Sequence, residues 1–249
     1  MSFEIIALLF VTGFLSGMVN AIAGGGTFLT FGAMTLVGIG PIAANATSAI
    51  VQFPGYITSA LAYLKEIKAN LKSTIILSVV SLIGGLSGAL LLLSLDNPSF
   101  RAMVPWLLLG ATALFAAGPY LKPKSGKGNE DVSGWMVTVG QFFTSIYGGF
   151  FGAGMGIMML AVMGMTSTAQ YHMLNAIKNV LSVVIAAVAI VVFVGGGVID
   201  WPAALAMIPG AALGGYFGVY AARRVPQWII RLLVIAVGLL LTAYYFFTA

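Results

Sequence analysis

Eight stretches of roughly 17 to 25 residues run almost free of charge through this chain, at about 4–22, 42–64, 71–95, 99–120, 132–150, 168–194, 201–222 and 228–247. A helix of about 20 residues matches the roughly 30 Å hydrocarbon core of a bilayer. Backbone N–H and C=O groups cannot be left bare in lipid, so stretches of this length are restricted to helices. Composition agrees: 60% of the 249 residues are hydrophobic and 7% are charged, against about 25% charged in an ordinary globular domain. Too few polar residues exist to cover a water-soluble surface, and the chain reads as an all-α polytopic membrane protein. Its net charge of +5 sits mostly in short loops, where it reports topology and gives no sign of nucleic-acid binding. The absence of cysteine excludes disulfides and thiolate metal sites. Met1-Ser2-Phe3-Glu4 lacks the basic start of a cleaved signal peptide, and the segment from Ile5 reads as the first membrane helix.

Two further apolar pieces, at about 27–38 and 155–166, are a dozen residues long and too short for a comfortable crossing. Each follows a glycine cluster. The two clusters belong to an internal repeat. Ala23-Gly24 and Gly26 lie 130 residues before Ala153-Gly154 and Gly156, and the same offset pairs Asn45-Ala46 with Asn175-Ala176. It also pairs Gly84-Gly85 and Gly88 with Gly214-Gly215 and Gly218, and Arg101 with Arg231. Chance explains matched leucines in an apolar chain, but not matched glycine clusters, asparagine and arginine in one register. The polar segment Lys122 to Asp131 divides the halves. The expected organisation is a first transmembrane repeat at 1–120, a cytoplasmic linker at 121–131 and a second transmembrane repeat at 132–249.

Basic loops face the cytoplasm. Lys65, Lys68 and Lys72 put one loop inside, while its counterpart at 195–202 has no basic residue and falls outside. The loop at 95–101 is charge-balanced and falls outside, while its counterpart carries Arg223, Arg224 and Arg231. The halves are therefore expected to be inverted. Inversion needs an odd number of crossings in each half, so the expectation is an inverted repeat of two five-segment halves, about ten segments, two of them short glycine-led helices. Eight spans with parallel halves is the alternative, if the short pieces only re-enter.

Inverted repeats with glycine-interrupted short segments in matching places point to a transporter with a site near the midplane. Free N–H groups at a helix start favour anions, and glycine lets a ligand approach the backbone. Glycine also permits close helix packing, the role assigned to Gly84-Gly85-Gly88 and Gly214-Gly215-Gly218. Gly24, Gly25, Gly26 and Thr27 in the first half, and Gly154 and Gly156 in the second, are read as substrate-lining breaks. Asn45, Thr47, Ser48 and Gln52 form a polar set on one predicted helix, and Asn175, Lys178, Asn179 and Ser182 form the matching stripe on another. Lys178 takes the register of Ser48. A lysine at depth is costly unless paired or hydrated, and all six carboxylates fall in predicted loops or ends. An anionic substrate is the expected partner. The competing reading is a lysine that snorkels to water if its helix starts near Leu174. His172 could titrate in a proton-coupled step or simply sit at the interface. No metal cluster, cofactor motif or catalytic cluster is legible, so no enzyme activity is expected.

The quoted motifs resemble a known family. Residues 17–27 (GMVNAIAGGGT), 44–48 (ANATS), 148–156 (GGFFGAGMG) and 175–179 (NAIKN) are similar to those of the sulfite exporter TauE/SafE family, and the resemblance covers nearly the whole chain. It implies a multi-pass permease of the bacterial inner membrane, handling sulfite, organosulfonates or other small anions. It implies transport by alternating access, as an exporter in the plain sense that the family name carries. A passive anion channel or an organic-acid permease of the same fold is the alternative. The expected partners are a small anionic substrate and the lipid bilayer, with no nucleic acid. A homo-oligomer is compatible with the sequence.

Overall fold

The computed structural model describes residues 1–23, 25–117, 132, 134–166, 169, 171–221 and 227–248. Every regular element among them is a helix: α1 (Phe3–Ala23), α2 (Gly26–Leu36), α3 (Pro41–Ala62), α4 (Leu64–Ala69), α5 (Leu71–Leu93), α6 (Asn97–Ala117), α7 (Trp135–Phe150), α8 (Met155–Thr166), α9 (Tyr171–Gly195), α10 (Trp201–Ala221) and α11 (Gln227–Thr248). Ten match the expected segments to within a few residues. The eleventh, α4, is a six-residue turn of helix inside the basic loop, too short to leave a periodic signal. Among the described residues, four helices are long and apolar enough to cross a bilayer by length and composition: Phe3–Asn20, Leu71–Leu93, Asn97–Ala117 and Met173–Gly195. At 1.5 Å per residue, α2 and α8 reach only about 16 to 18 Å, roughly half the hydrocarbon core.

Polarity is arranged for lipid. Leu82, Leu90, Leu205 and Leu240 point outward, and Trp106 and Trp135 are well exposed, while Ser16, Thr30, Ser48, Gln52, Gln141 and Ser145 are fully buried. Apolar side chains face the solvent they match, and polar ones find partners inside.

The helices pair through glycines. A Cβ at Gly84 or Gly88 of α5 would strike the carbonyl of Phe142 or Ile146 in α7. A Cβ at Gly210 or Gly214 of α10 would strike the carbonyl of Phe10 or Phe14 in α1. Residue numbers rise together in both pairs, so α5 runs parallel to α7 and α1 runs parallel to α10. A Cβ at Gly215 would meet nothing within 4 Å, but its backbone N lies 2.8 Å from where a Cβ at Gly17 of α1 would sit, so it shares the α1–α10 contact through its backbone. α6 and α11 pair antiparallel: Arg101 meets the Thr248 carbonyl at 2.9 Å, and the Trp106 and Phe246 rings stack edge-on.

One face of the bundle is tied by hydrogen bonds between turns. Asn97 Oδ1 accepts from Ile42 N–H at 3.3 Å, at the start of α3. Thr47 Oγ1 accepts from Asp200 N–H at 3.0 Å, just before α10. The basic loop lies at the opposite face, where Asn70 Nδ2 approaches Met173 Sδ to 3.3 Å.

Candidate functional site

The two glycine-led breaks share composition but differ in cause. Gly152 and Gly154 have φ of +74° and +77°, a left-handed backbone that side-chain-bearing residues adopt only under strain. Gly25 has an ordinary φ of −107°. There the reason is space: a Cβ at Gly25 would lie 2.7 Å from Val234 Cγ1, and one at Gly26 would strike the Ser16 carbonyl. Each break is also held by a hydroxyl. Ser16 Oγ donates to the Gly26 carbonyl at 2.7 Å and itself accepts from Gln52 Nε2. Tyr147 donates to the Ala153 carbonyl at 2.8 Å.

A narrow cleft lies between the first break region and the second. Its polar wall comes from Thr27 at the start of α2 and from Asn45, Ser48, Gln52 and Tyr56 of α3. These α3 positions recur every three or four residues and so share one face. The opposite wall is the end of α7 and the second break (Gly148, Gly149, Phe151, Gly152), Met155 of α8, and Ile185, Ala186, Ala189 and Phe193 of α9. Tyr56 extends the stripe that the sequence had shown as far as Gln52. The apolar wall was not legible, because apolar residues facing a cleft look like those facing lipid.

The polar wall is partly committed to the protein itself. Asn45 Nδ2 donates to the Phe150 carbonyl at 2.8 Å, tying α3 to the end of α7. The Thr30 hydroxyl lies 2.9 Å from Ser48 Oγ and 3.1 Å from the Thr27 carbonyl. Among the described residues, Asn45 Oδ1, the second N–H of Asn45 and the second N–H of Gln52 have no protein partner. Thr47 is not among the residues lining the cleft; its Oγ1 accepts from the Asp200 N–H.

The second-half stripe lies elsewhere. α9 begins at Tyr171, so Lys178 sits about two turns in, deeper than a first-turn start at Leu174 would place it. Its side chain is partly buried over the first turn of α8, where a Cβ built on Gly156 would lie 3.4 Å from Cδ and 4.0 Å from Nζ. Among the described residues no hydrogen bond or ion pair reaches that ammonium. Asn179 and Ser182 are buried and Asn175 is partly buried. None of Asn175, Lys178, Asn179, Gly154 and Gly156 lines the cleft. Gly154 packs near Ala111. Gly24 and the His172 side chain lie outside the described residues, as do Gln170 and the central linker. Gln141 acts as interhelical glue, donating to Ser81 and Ser145 at 2.9 and 3.0 Å. Among the described residues no group of His, Asp and Glu could hold a metal ion.

Short helices that start at breaks inside an apolar bundle, among apolar helices long enough to span a bilayer, define a multi-pass membrane protein. The model of the family described as Sulfite exporter TauE/SafE matches residues 9–245. The chain belongs to that family. It is similar to a "Probable membrane transporter protein" of Haemophilus influenzae, 28% identical over 247 residues, covering 96% of this chain and 94% of the relative. It is also similar to a "Probable membrane transporter protein ORF9" of a Sinorhizobium species, 30% identical over 251 residues, covering 97% and 92%. A third relative, "Probable membrane transporter protein YfcA" of Escherichia coli K12, is 25% identical over 251 residues, covering 96% and 88%. Family and relatives support a membrane transporter, and their names indicate no enzyme.

Proposed function

We propose that the chain is a secondary transporter of small anions such as sulfite or organosulfonates, exporting them across the bacterial inner membrane by alternating access of two inverted repeats. The observation that carries this reading is Lys178. It lies in an apolar bundle with no partner among the described residues, beside the first turn of a helix that begins at a glycine break. A charge at that depth is retained where it has a task, and an anion satisfies both the ammonium and the free N–H groups. Inverted repeats are supported by the exchange of partners between halves: α1 lies along α10 and α5 along α7, each pair parallel. Asn45, Ser48, Gln52 and Thr27 supply hydrogen bonds on the first-half side. Thr47 does not line the cleft and has no such role in this reading.

The test is flux of a panel of anions into vesicles carrying purified protein, wild type beside Lys178→Met. Loss of the lysine should lower kcat/KM for the preferred anion by about tenfold or more, the equivalent of about 1.4 kcal/mol. Equal flux from both proteins would remove the lysine from the mechanism. Saturation and counterflow separate a transporter from a passive channel. Within the anion class, the apolar wall of Phe151, Met155, Ile185 and Phe193 favours an organic acid or organosulfonate with a short apolar part over bare sulfite.

A further inference from the structure

Ser48 and Lys178 stand at matching registers of α3 and α9, 130 residues apart, yet the cleft holds one and not the other. The part of α9 that lines the cleft begins at Ile185 and ends at Phe193. Lys178 precedes Ile185 by seven residues, about 10 Å along the helix axis. Contacts at the helix ends fix which way each side faces. α9 starts beside Asn70 in the basic loop, so Lys178 lies toward the basic face. At its far end, a Cβ at Gly196 would meet Leu93 at the end of α5. Thr47, beside Ser48, meets the backbone of Asp200 in the following turn. Asn45, Ser48 and Phe193 therefore lie toward the opposite face.

The two places also differ in chemistry. Around Ser48 there are neutral donors, each already holding one protein partner. Around Lys178 there is a full charge with no partner among the described residues, flanked by Asn175 and Asn179 on the same stripe. The Gly156 N–H beneath it has no hydrogen-bond acceptor among the described residues, whereas Met155 and Ile157 on either side donate to Gly152 and Gly154 at 3.2 and 3.0 Å.

We infer that the pathway holds two separate anion stations: a neutral one at Asn45, Ser48 and Gln52, and a cationic one at Lys178, Asn175 and Asn179, on opposite sides of the midplane. This rests on the anion-transport reading above. The cationic station captures the anion from the basic face. The neutral station receives it with hydrogen bonds alone and releases it. Binding that is weak and multi-site lets an ion leave as readily as it enters. The order of the stations, charge first and neutral donors second, fits movement away from the basic face.

The natural sequence contains no cysteine, so single cysteines can be placed without background. Ser48→Cys and Lys178→Cys are made separately and exposed, in right-side-out and inverted vesicles, to a sulfonate-bearing thiol reagent that cannot cross the bilayer. Ala49→Cys and Asn175→Cys serve as second reporters of the two stations should either substitution impair folding. Two stations predict opposite preferences: each position reacts about tenfold faster from its own face, a ratio that a site visiting both faces in comparable populations does not give. Similar face ratios at both positions would overturn the inference in favour of a single shared site. The transport reading fails separately: unlabelled wild-type vesicles without sulfite or organosulfonate flux overturn it, and the assignment of the stations to anions with it, whatever the labelling pattern.

Discussion

Lys178 and the two glycine breaks carry opposing demands on stability. A lysine at membrane depth costs about 2.5 to 3.5 kcal/mol on insertion scales, and this one has no partner among the described residues to offset it. Lys178→Met should therefore raise the thermal midpoint in detergent even as it lowers transport; a lowered midpoint would mean the ammonium is already satisfied within the protein. The glycines make a sharper pair. Gly152→Ala meets no closer atom than the Gly148 carbonyl, 3.4 Å away, so its cost is the left-handed backbone alone, about 1 to 2 kcal/mol. Gly26→Ala has an ordinary backbone but strikes the Ser16 carbonyl, an overpacking cost of about 1 to 3 kcal/mol. The Gly26 variant should also disturb the hydroxyl chain from Gln52 to Ser16. Replacing Gln52 with the similarly shaped Met afterwards should then have little further effect on stability, whereas it should add fully to Gly152→Ala. Double-mutant cycles on thermal midpoints decide between the two. One-letter sequence could not separate these glycines, because left-handed φ and close approach select the same residue.

At the scale of elements, the helices were largely legible and their pairing was not. The apolar runs at 27–38 and 155–166 became α2 and α8, since length against the bilayer is a physical limit that the sequence states directly. α4 escaped because six residues in a charged loop carry no period. The site divided along the same line. The α3 stripe was readable from its three- and four-residue spacing, whereas the wall opposite required knowing that α7, α8 and α9 face it. Element ends offer a pH test. The Asp96 carboxylate caps the start of α6 by accepting from Ser99 N–H at 3.1 Å. Hydrogen bonds from the Ser99 hydroxyl, then from its N–H, hold its pKa below the usual carboxylate value. A lowered folded-state pKa means the cap contributes above the unfolded value and is lost as pH falls through the folded one. Asp96→Ala should thus lower the midpoint slightly at neutral pH and leave it unchanged below the carboxylate range; an equal effect at both would assign the loss to packing. Because Asp96 is fully exposed to solvent, the effect should shrink at high salt.

For the molecule as a whole, the halves are completed by each other. α1 has its glycine-lined partner in α10, and α5 has its partner in α7, with carbonyls pressed against glycine Cα positions in both pairs. Neither half holds both members of a pair. Residues 1–120 and 132–249 expressed apart should each be degraded, and expressed together should recover a folded, extractable complex; a stable single half would show that these pairings are dispensable. The same exchange joins the Asn45 amide of the first half to the Phe150 carbonyl of the second, so the cleft itself exists only once both halves have met. A ligand that binds only this assembled state should raise its midpoint in proportion to RT ln(1 + [L]/Kd).

The partnership of α1 with α10 also sets a clock. Gly13 and the Met207 carbonyl that packs against it are separated by most of the chain. At roughly 5 to 20 residues per second of synthesis, the first helix waits on the order of ten to forty seconds in the membrane before its match is made. Throughout that interval its small-residue groove is open to any other helix that passes.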